Sequence, residues 1–176
     1  VLSVALLNET HQTITVFLNQ LKYVKLGMSP SMISIVYVII TISGLSGGFS
    51  SKITDKIGDK KLGLAVFFAG SVACILLALT KYAIIAVLGV LMLRIGYSIL
   101  QPLQMKIQNE EITVSDRATA LSMNAVIMDI IAIFTNVVFG KIADISLQSS
   151  MIFGCVMCIV AFALYHFSWQ AFKYNK

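Results

Sequence analysis

The sequence predicts an all-α, polytopic membrane protein built as a bundle of six membrane-spanning helices. Of its 176 residues, 58% are hydrophobic and 12% charged, with a mean hydropathy of +0.89, whereas a soluble domain is about 25% charged. The apolar residues also fall into six long runs, separated by charge clusters and turn residues. A transmembrane helix takes about 20 residues, so six use roughly 120 and leave no room for an appended soluble domain. The net charge of +5 comes from 13 Lys and Arg scattered along the chain; they make no basic stripe, which removes nucleic acid as a partner. Three Cys make no even disulfide framework. The chain opens on Val1-Leu2 without a basic stretch before the first apolar run, so it reads as a fragment rather than as a signal peptide.

The helices are expected at about 2–24, 31–51, 62–80, 82–107, 117–140 and 148–171, within one domain over 1–176. Gly27-Met28-Ser29-Pro30 supplies a helix stop, an N-cap serine and a first-turn proline. The third run is free of charge. The fourth and fifth carry one charge each, Arg94 and Asp129, and Pro102 is expected to bend the fourth. Six spans put both ends on one side, which collects eight Lys and Arg against four on the other. The positive-inside rule then puts both termini in the cytoplasm of a multi-pass cell-membrane protein. Trp169, Phe172 and Tyr174 beside Lys173 suit the interfacial belt.

Ser51-Lys-Ile-Thr-Asp55 closes the second helix, and Gly140-Lys-Ile-Ala-Asp144 closes the fifth, 89 residues on. The chain therefore reads as two three-helix units, about 1–81 and 82–176, inverted relative to each other in the membrane. Polar stripes mark the same division. Asn8, Gln12, Thr15 and Asn19 recur along the first helix, with Glu9 and His11 at the flank; Arg94, Tyr97, Gln101, Gln104 and Gln108 share a face of the fourth; Ser122, Asp129 and Asn136 are seven apart on the fifth. The second carries a milder stripe of Ser34, Tyr37, Thr41, Gly44 and Gly48. Such faces avoid lipid, whether by gluing helices together or by lining a water-filled cavity; helices three and six, with isolated polar residues, read as outer supports.

Glu9, Arg94 and Asp129 are the ionisable groups within the spans. Each costs about 2.5–3.5 kcal/mol if unpaired, which makes them candidates for substrate contact or coupling, with Gln12 and Gln101 beside them. Arg94 and Asp129 both fall near the midplane, where they could pair. Cys155 and Cys158 share a helix face but lack further ligands, and the scattered Met make no copper site, so neither a metal nor a cofactor is expected.

The tightest signature is Ser51-Lys-Ile-Thr-Asp55-Lys56-Ile-Gly58-Asp59-Lys60-Lys61. It resembles the cytoplasmic loop motif of the major facilitator superfamily, G-x-x-x-D-R/K-x-G-x-R/K-R/K, which follows the second helix of each six-helix half. Asp55, Lys56, Gly58, Lys60 and Lys61 match, and Ser51 replaces the leading glycine. The echo at Gly140 and Asp144, the run Arg117-Ala-Thr-Ala-Leu-Ser122 and Pro102 extend the likeness to drug-efflux-like members. The resemblance implies the carboxyl-terminal half of a twelve-helix transporter, its amino-terminal half lying in the same chain or a second one. It implies that the first, second, fourth and fifth helices line the cavity, that Asp55 meets the positive end of a helix in the other half, and that Arg117 faces that half's matching loop.

The function expected is secondary active transport of a small organic solute across a lipid bilayer by alternating access. With no nucleotide-binding signature, an ion gradient or the solute's own gradient supplies the energy, and family analogy favours proton-coupled efflux. A non-transporting membrane subunit is one alternative. Another is an intramembrane serine protease, because Gly44-Leu45-Ser46-Gly47 has the form of a rhomboid nucleophile motif. Its base would have to be His11 or His166, and neither stands in the expected context.

Overall fold

A computed structural model describes the backbone of residues 1–111 and 117–174, and the side chains of 1–109 and 118–170. Among these residues every regular element is helical. The first helix joins α1 (Leu2–Gln12), a π-helical turn (Thr13–Leu18) and α2 (Asn19–Lys25). The second joins α3 (Pro30–Ser43), a 3-10 stretch (Gly44–Phe49) and α4 (Ser50–Ile57). The remaining four are α5 (Asp59–Leu79), α6 (Ala83–Glu111), α7 (Arg117–Ile145) and α8 (Leu147–Tyr174). All six predicted helices are present. Several ends extend further than predicted, and the second helix starts at Pro30 and runs six residues past its expected stop.

Local chemistry explains the junctions. After α2, Gly27 adopts φ +78°, while Gly27 N–H and Met28 N–H donate to the carbonyls of Val24 and Tyr23; this is the double bond of a Schellman stop. The Ser29 side chain then accepts from Met32 N–H at 3.3 Å, with Pro30 in the first turn of α3. Between α4 and α5 a single residue turns the chain, Gly58 at φ +85°, ψ +151°. Lys22 Nζ donates to the Thr80 carbonyl at 2.8 Å, so the end of the first helix caps the end of α5. Pro102 lies on α6, which stays helical on both sides of it.

Five segments are long and apolar enough to cross a membrane: Pro30–Ile57, Asp59–Leu79, Ala83–Asn109, Ala118–Ile145 and Leu147–Gln170. The first helix does not reach that hydropathy, so composition supports five of the six expected spans. Its polarity has a physical reason, since Glu9, Thr10, His11, Thr13, Thr15 and Asn19 are all buried against other helices. It packs against α6, α7 and α8, where protein groups replace the lipid it could not face.

The tightest pairing is α5 with α8. Small residues permit it: a Cβ at Gly63 would strike the Tyr165 ring, and the Tyr165 hydroxyl donates to the Asp59 carbonyl at 3.2 Å. Trp169 packs on Tyr165 with centroids 5.8 Å apart; the side chains of Phe172, Lys173 and Tyr174 lie outside the described residues. In α5 and α8 the apolar spans are 56% and 44% buried, against 17% for the second helix and 11% for α7. The outer supports of the sequence reading thus form the chain's own core, while the second helix and α7 leave most of their surface open.

The second helix meets α6 through a small-residue face. A Cβ at Gly47 would stand 2.8 Å from the Ser98 carbonyl oxygen, and the Ser50 hydroxyl donates to the Ile99 carbonyl at 2.7 Å. Gly48 and Ser51 point away from this contact. Gly47→Ala should therefore destabilise the bundle by about 1–3 kcal/mol, while Gly48→Ala, with open space around it, should change stability by less than about 0.5 kcal/mol. Unfolding of the two purified variants in detergent micelles measures the difference.

Candidate functional site

The polar residues of the first helix divide into two groups. Glu9 is 5% exposed and turned toward α7. Its Oε1 accepts from Asn8 Nδ2 at 2.8 Å and its Oε2 from Asn136 Nδ2 at 3.2 Å. Asn136 Oδ1 in turn accepts from the Thr13 hydroxyl at 2.8 Å, so one α7 amide bridges two positions on the first helix. Asp129, almost two turns before Asn136 on α7, lies within electrostatic range of Glu9. This side of the site is therefore acidic.

The second group surrounds His11, which is 2% exposed and stacked on Tyr97 of α6 with centroids 4.3 Å apart and planes 11° apart. Both His11 ring nitrogens are buried without a hydrogen-bond partner. Arg94, one turn before Tyr97, lies within electrostatic range of His11 and Tyr97. Its guanidinium packs over Gly44, where a Cβ would come within 2.6 Å of Nη2, so the glycine makes room for the cation. Arg94 Nε is also buried without a partner. The proposed Arg94–Asp129 pair is not formed: among the described residues the one ion pair is Lys106 with Asp59, at 3.3 Å.

Just after His11 the first helix changes pitch. The π turn over Thr13–Leu18 inserts extra backbone into the helix, while the Thr15 hydroxyl returns a bond to the His11 carbonyl at 2.7 Å. One consequence is that the expected stripe does not stay on one face: Thr15 and Asn19 are buried, Asn8 is half-buried and Gln12 is exposed. Beyond the turn, Asn19 Oδ1 accepts from the Tyr37 hydroxyl of α3 at 2.9 Å, in a polar contact between the first two helices. Gln101 and Asp129 are exposed and Arg94 half-buried. The structure thus brings Glu9 near Asp129 and sets Arg94 beside His11, leaving Gln12 and Gln101 on open faces.

In the loop signature Asp55, Lys56 and Lys61 are exposed and Lys60 half-buried. Asp59, a variable position of that motif, makes the ion pair, tying the start of α5 to Lys106 near the end of α6. The Arg117 side chain lies outside the described residues. His166 contacts Gln170 at 2.8 Å, and neither the Ser46 hydroxyl nor either His11 nitrogen has a hydrogen-bond partner, so no serine–histidine pair is assembled. Among the described residues no group of three His, Cys, Asp or Glu could hold a metal.

The family model of the Major Facilitator Superfamily matches residues 1–171, nearly the whole chain. The chain belongs to the major facilitator superfamily. It is accordingly a multi-pass membrane transporter, and the polar groups described above lie within a transporter's helices. Comparisons with curated proteins and with solved structures find no match.

Asn136, Thr13, His11 and the π turn are what sequence reasoning left out of this transporter's candidate site. Asn136 and His11 stood on or beside the polar stripes, but their contacts join residues more than 80 positions apart. Thr13→Val and Asn136→Leu should each cost about 0.6–2 kcal/mol. In a double-mutant cycle their effects should fall short of additive by about 0.5 kcal/mol or more, because both remove one bond. Strict additivity in detergent-solubilised protein would show that the bridge is not made.

Proposed function

We propose that this chain is the carboxyl-terminal six-helix half of a secondary transporter that exports small organic solutes against proton entry by alternating access. One observation carries the reading: Gln101 and Asp129 within the spans, and Gln12 on the first helix, stay exposed once the chain has folded. Lipid is a costly neighbour for them. A water-filled cavity closed by a second six-helix unit accommodates them, with the first helix, the second, α6 and α7 as its walls.

In this arrangement Glu9 and Asp129 are the coupling groups. Glu9 is held to α7 through Asn136, so a change in its protonation alters a helix–helix contact as well as a charge. Arg94, Gln12 and Gln101 contact the solute. The two six-helix halves rock around a midplane site, and this one is built of two inverted units, about 1–81 and 82–176. The exposed Asp55 meets a helix end in the other half, with Lys56, Lys60 and Lys61 holding the loop at the cytoplasmic surface, while Asp59–Lys106 fastens the loop within this half. Arg117, at the start of α7, faces the matching loop of the other half.

The full-length protein reconstituted in proteoliposomes with an imposed pH gradient tests this. Glu9→Gln and Asp129→Asn should each slow proton-driven solute movement by about tenfold or more, the equivalent of about 1.4 kcal/mol, while sparing counterflow between solute pools at equal pH. Full coupled activity in both variants would remove them from the coupling mechanism. The gene should also encode six further apolar spans ahead of Val1, with a second copy of the loop signature after the second of them.

A further inference from the structure

Cationic and anionic groups are segregated in this bundle. Glu9 is satisfied by Asn8 and Asn136 and neighboured by Asp129, whereas Arg94 has no carboxylate within ion-pair distance among the described residues. Around Arg94 two donors are left without acceptors. Its own Nε is a buried donor without an acceptor, and His11 presents two buried ring nitrogens without partners, one of which is a donor in the neutral ring and both in the charged one. Gly44 leaves the guanidinium its space, and Tyr97 holds the imidazole by stacking on it. A buried polar group left unpaired costs about 1–3 kcal/mol, and a charged one more.

We infer that Arg94 and His11 form an oxyanion subsite, and that the transported solute carries a carboxylate or a comparable oxyanion that binds there. The guanidinium presents a fork of donors matched to a planar carboxylate, and the imidazole adds a donor from the first helix. Arg94, half-buried, meets the anion first, and His11 lies behind it. The anion supplies the acceptors that the folded chain does not. Because it joins α6 to the first helix, its binding also bridges two walls of the cavity. This assignment rests on the transporter reading and narrows its solute class; the acidic pair Glu9 and Asp129 stays on the α7 side, free for cation coupling.

The test is equilibrium binding to the purified full-length protein in lipid nanodiscs, using benzoate, its neutral match benzamide and the cation benzylamine. Benzoate should bind saturably and benzamide at least about tenfold more weakly, the loss expected for one charge-assisted bond of about 1.5–3 kcal/mol. Arg94→Gln and His11→Ala should abolish the preference for benzoate, and Arg94→Lys should keep part of it. Equal binding of benzoate and benzamide, preference for benzylamine, or no benzoate binding would overturn the subsite; in the last case Arg94 is answered by a carboxylate of the protein itself. If Arg94→Gln fails to fold, the wild-type comparison of the three probes decides alone. Solute flux in proteoliposomes is read separately: flux without anion preference removes the subsite and leaves the transporter, whereas anion preference without flux removes the transporter reading and leaves the subsite.

Discussion

Hydrocarbon gives a polar side chain no hydrogen-bond partner, so each one on a membrane helix must turn toward protein or toward water. Here the constraint falls hardest on the first helix, whose Glu9, Thr10, His11, Thr13, Thr15 and Asn19 are buried. That polar face cannot lie against lipid, and its place among α6, α7 and α8 follows. The bridge from Glu9 through Asn136 to Thr13 then sets the seam with α7, and the His11–Tyr97 stack sets the seam with α6. The packing of the bundle and its candidate chemistry are therefore consequences of the same side chains.

Around that helix the bundle uses two kinds of contact. Where helices are apolar, small residues bring them close: Gly63 beneath Tyr165 between α5 and α8, and Gly47 against the Ser98 carbonyl between the second helix and α6. Where the first helix carries polar groups, hydrogen bonds join it to its neighbours, as through Asn136, while much of α7, Asp129 included, stays open. Close packing makes α5 and α8 a stiff pair. The π turn in the adjoining helix departs from regular α-helical hydrogen bonding.

Much of the fold was legible because its signals are local. The six helices, the Ser29 cap with Pro30, the stop at Gly27 and the turn at Gly58 each depend on a few neighbouring residues, and the structure shows all of them, although only five of the helices are apolar enough to cross a membrane by composition. The site was less legible. Regular 3.6-residue spacing put Gln12 on the stripe with Thr15 and Asn19, but the π turn breaks that periodicity and leaves Gln12 exposed. Depth alone suggested that Arg94 and Asp129 could pair. Depth says nothing about rotation around a helix axis, and in the structure Arg94 lies over Gly44 beside His11 while Asp129 stays toward Glu9.

By itself the sequence determined that this protein is a helical membrane protein, where most of its helices begin and turn, and, through the loop signature, the superfamily whose family model matches it. These are properties of composition and of residues close together along the chain. Tertiary structure alone decided which polar groups meet: Glu9 with Asn136, His11 with Tyr97, and Arg94 with no counter-ion in the described chain. The reason is geometric, because such contacts depend on the rotation and pitch of helices far apart in sequence. The departures in pitch, at Thr13–Leu18 and Gly44–Phe49, fall beside His11 and Arg94.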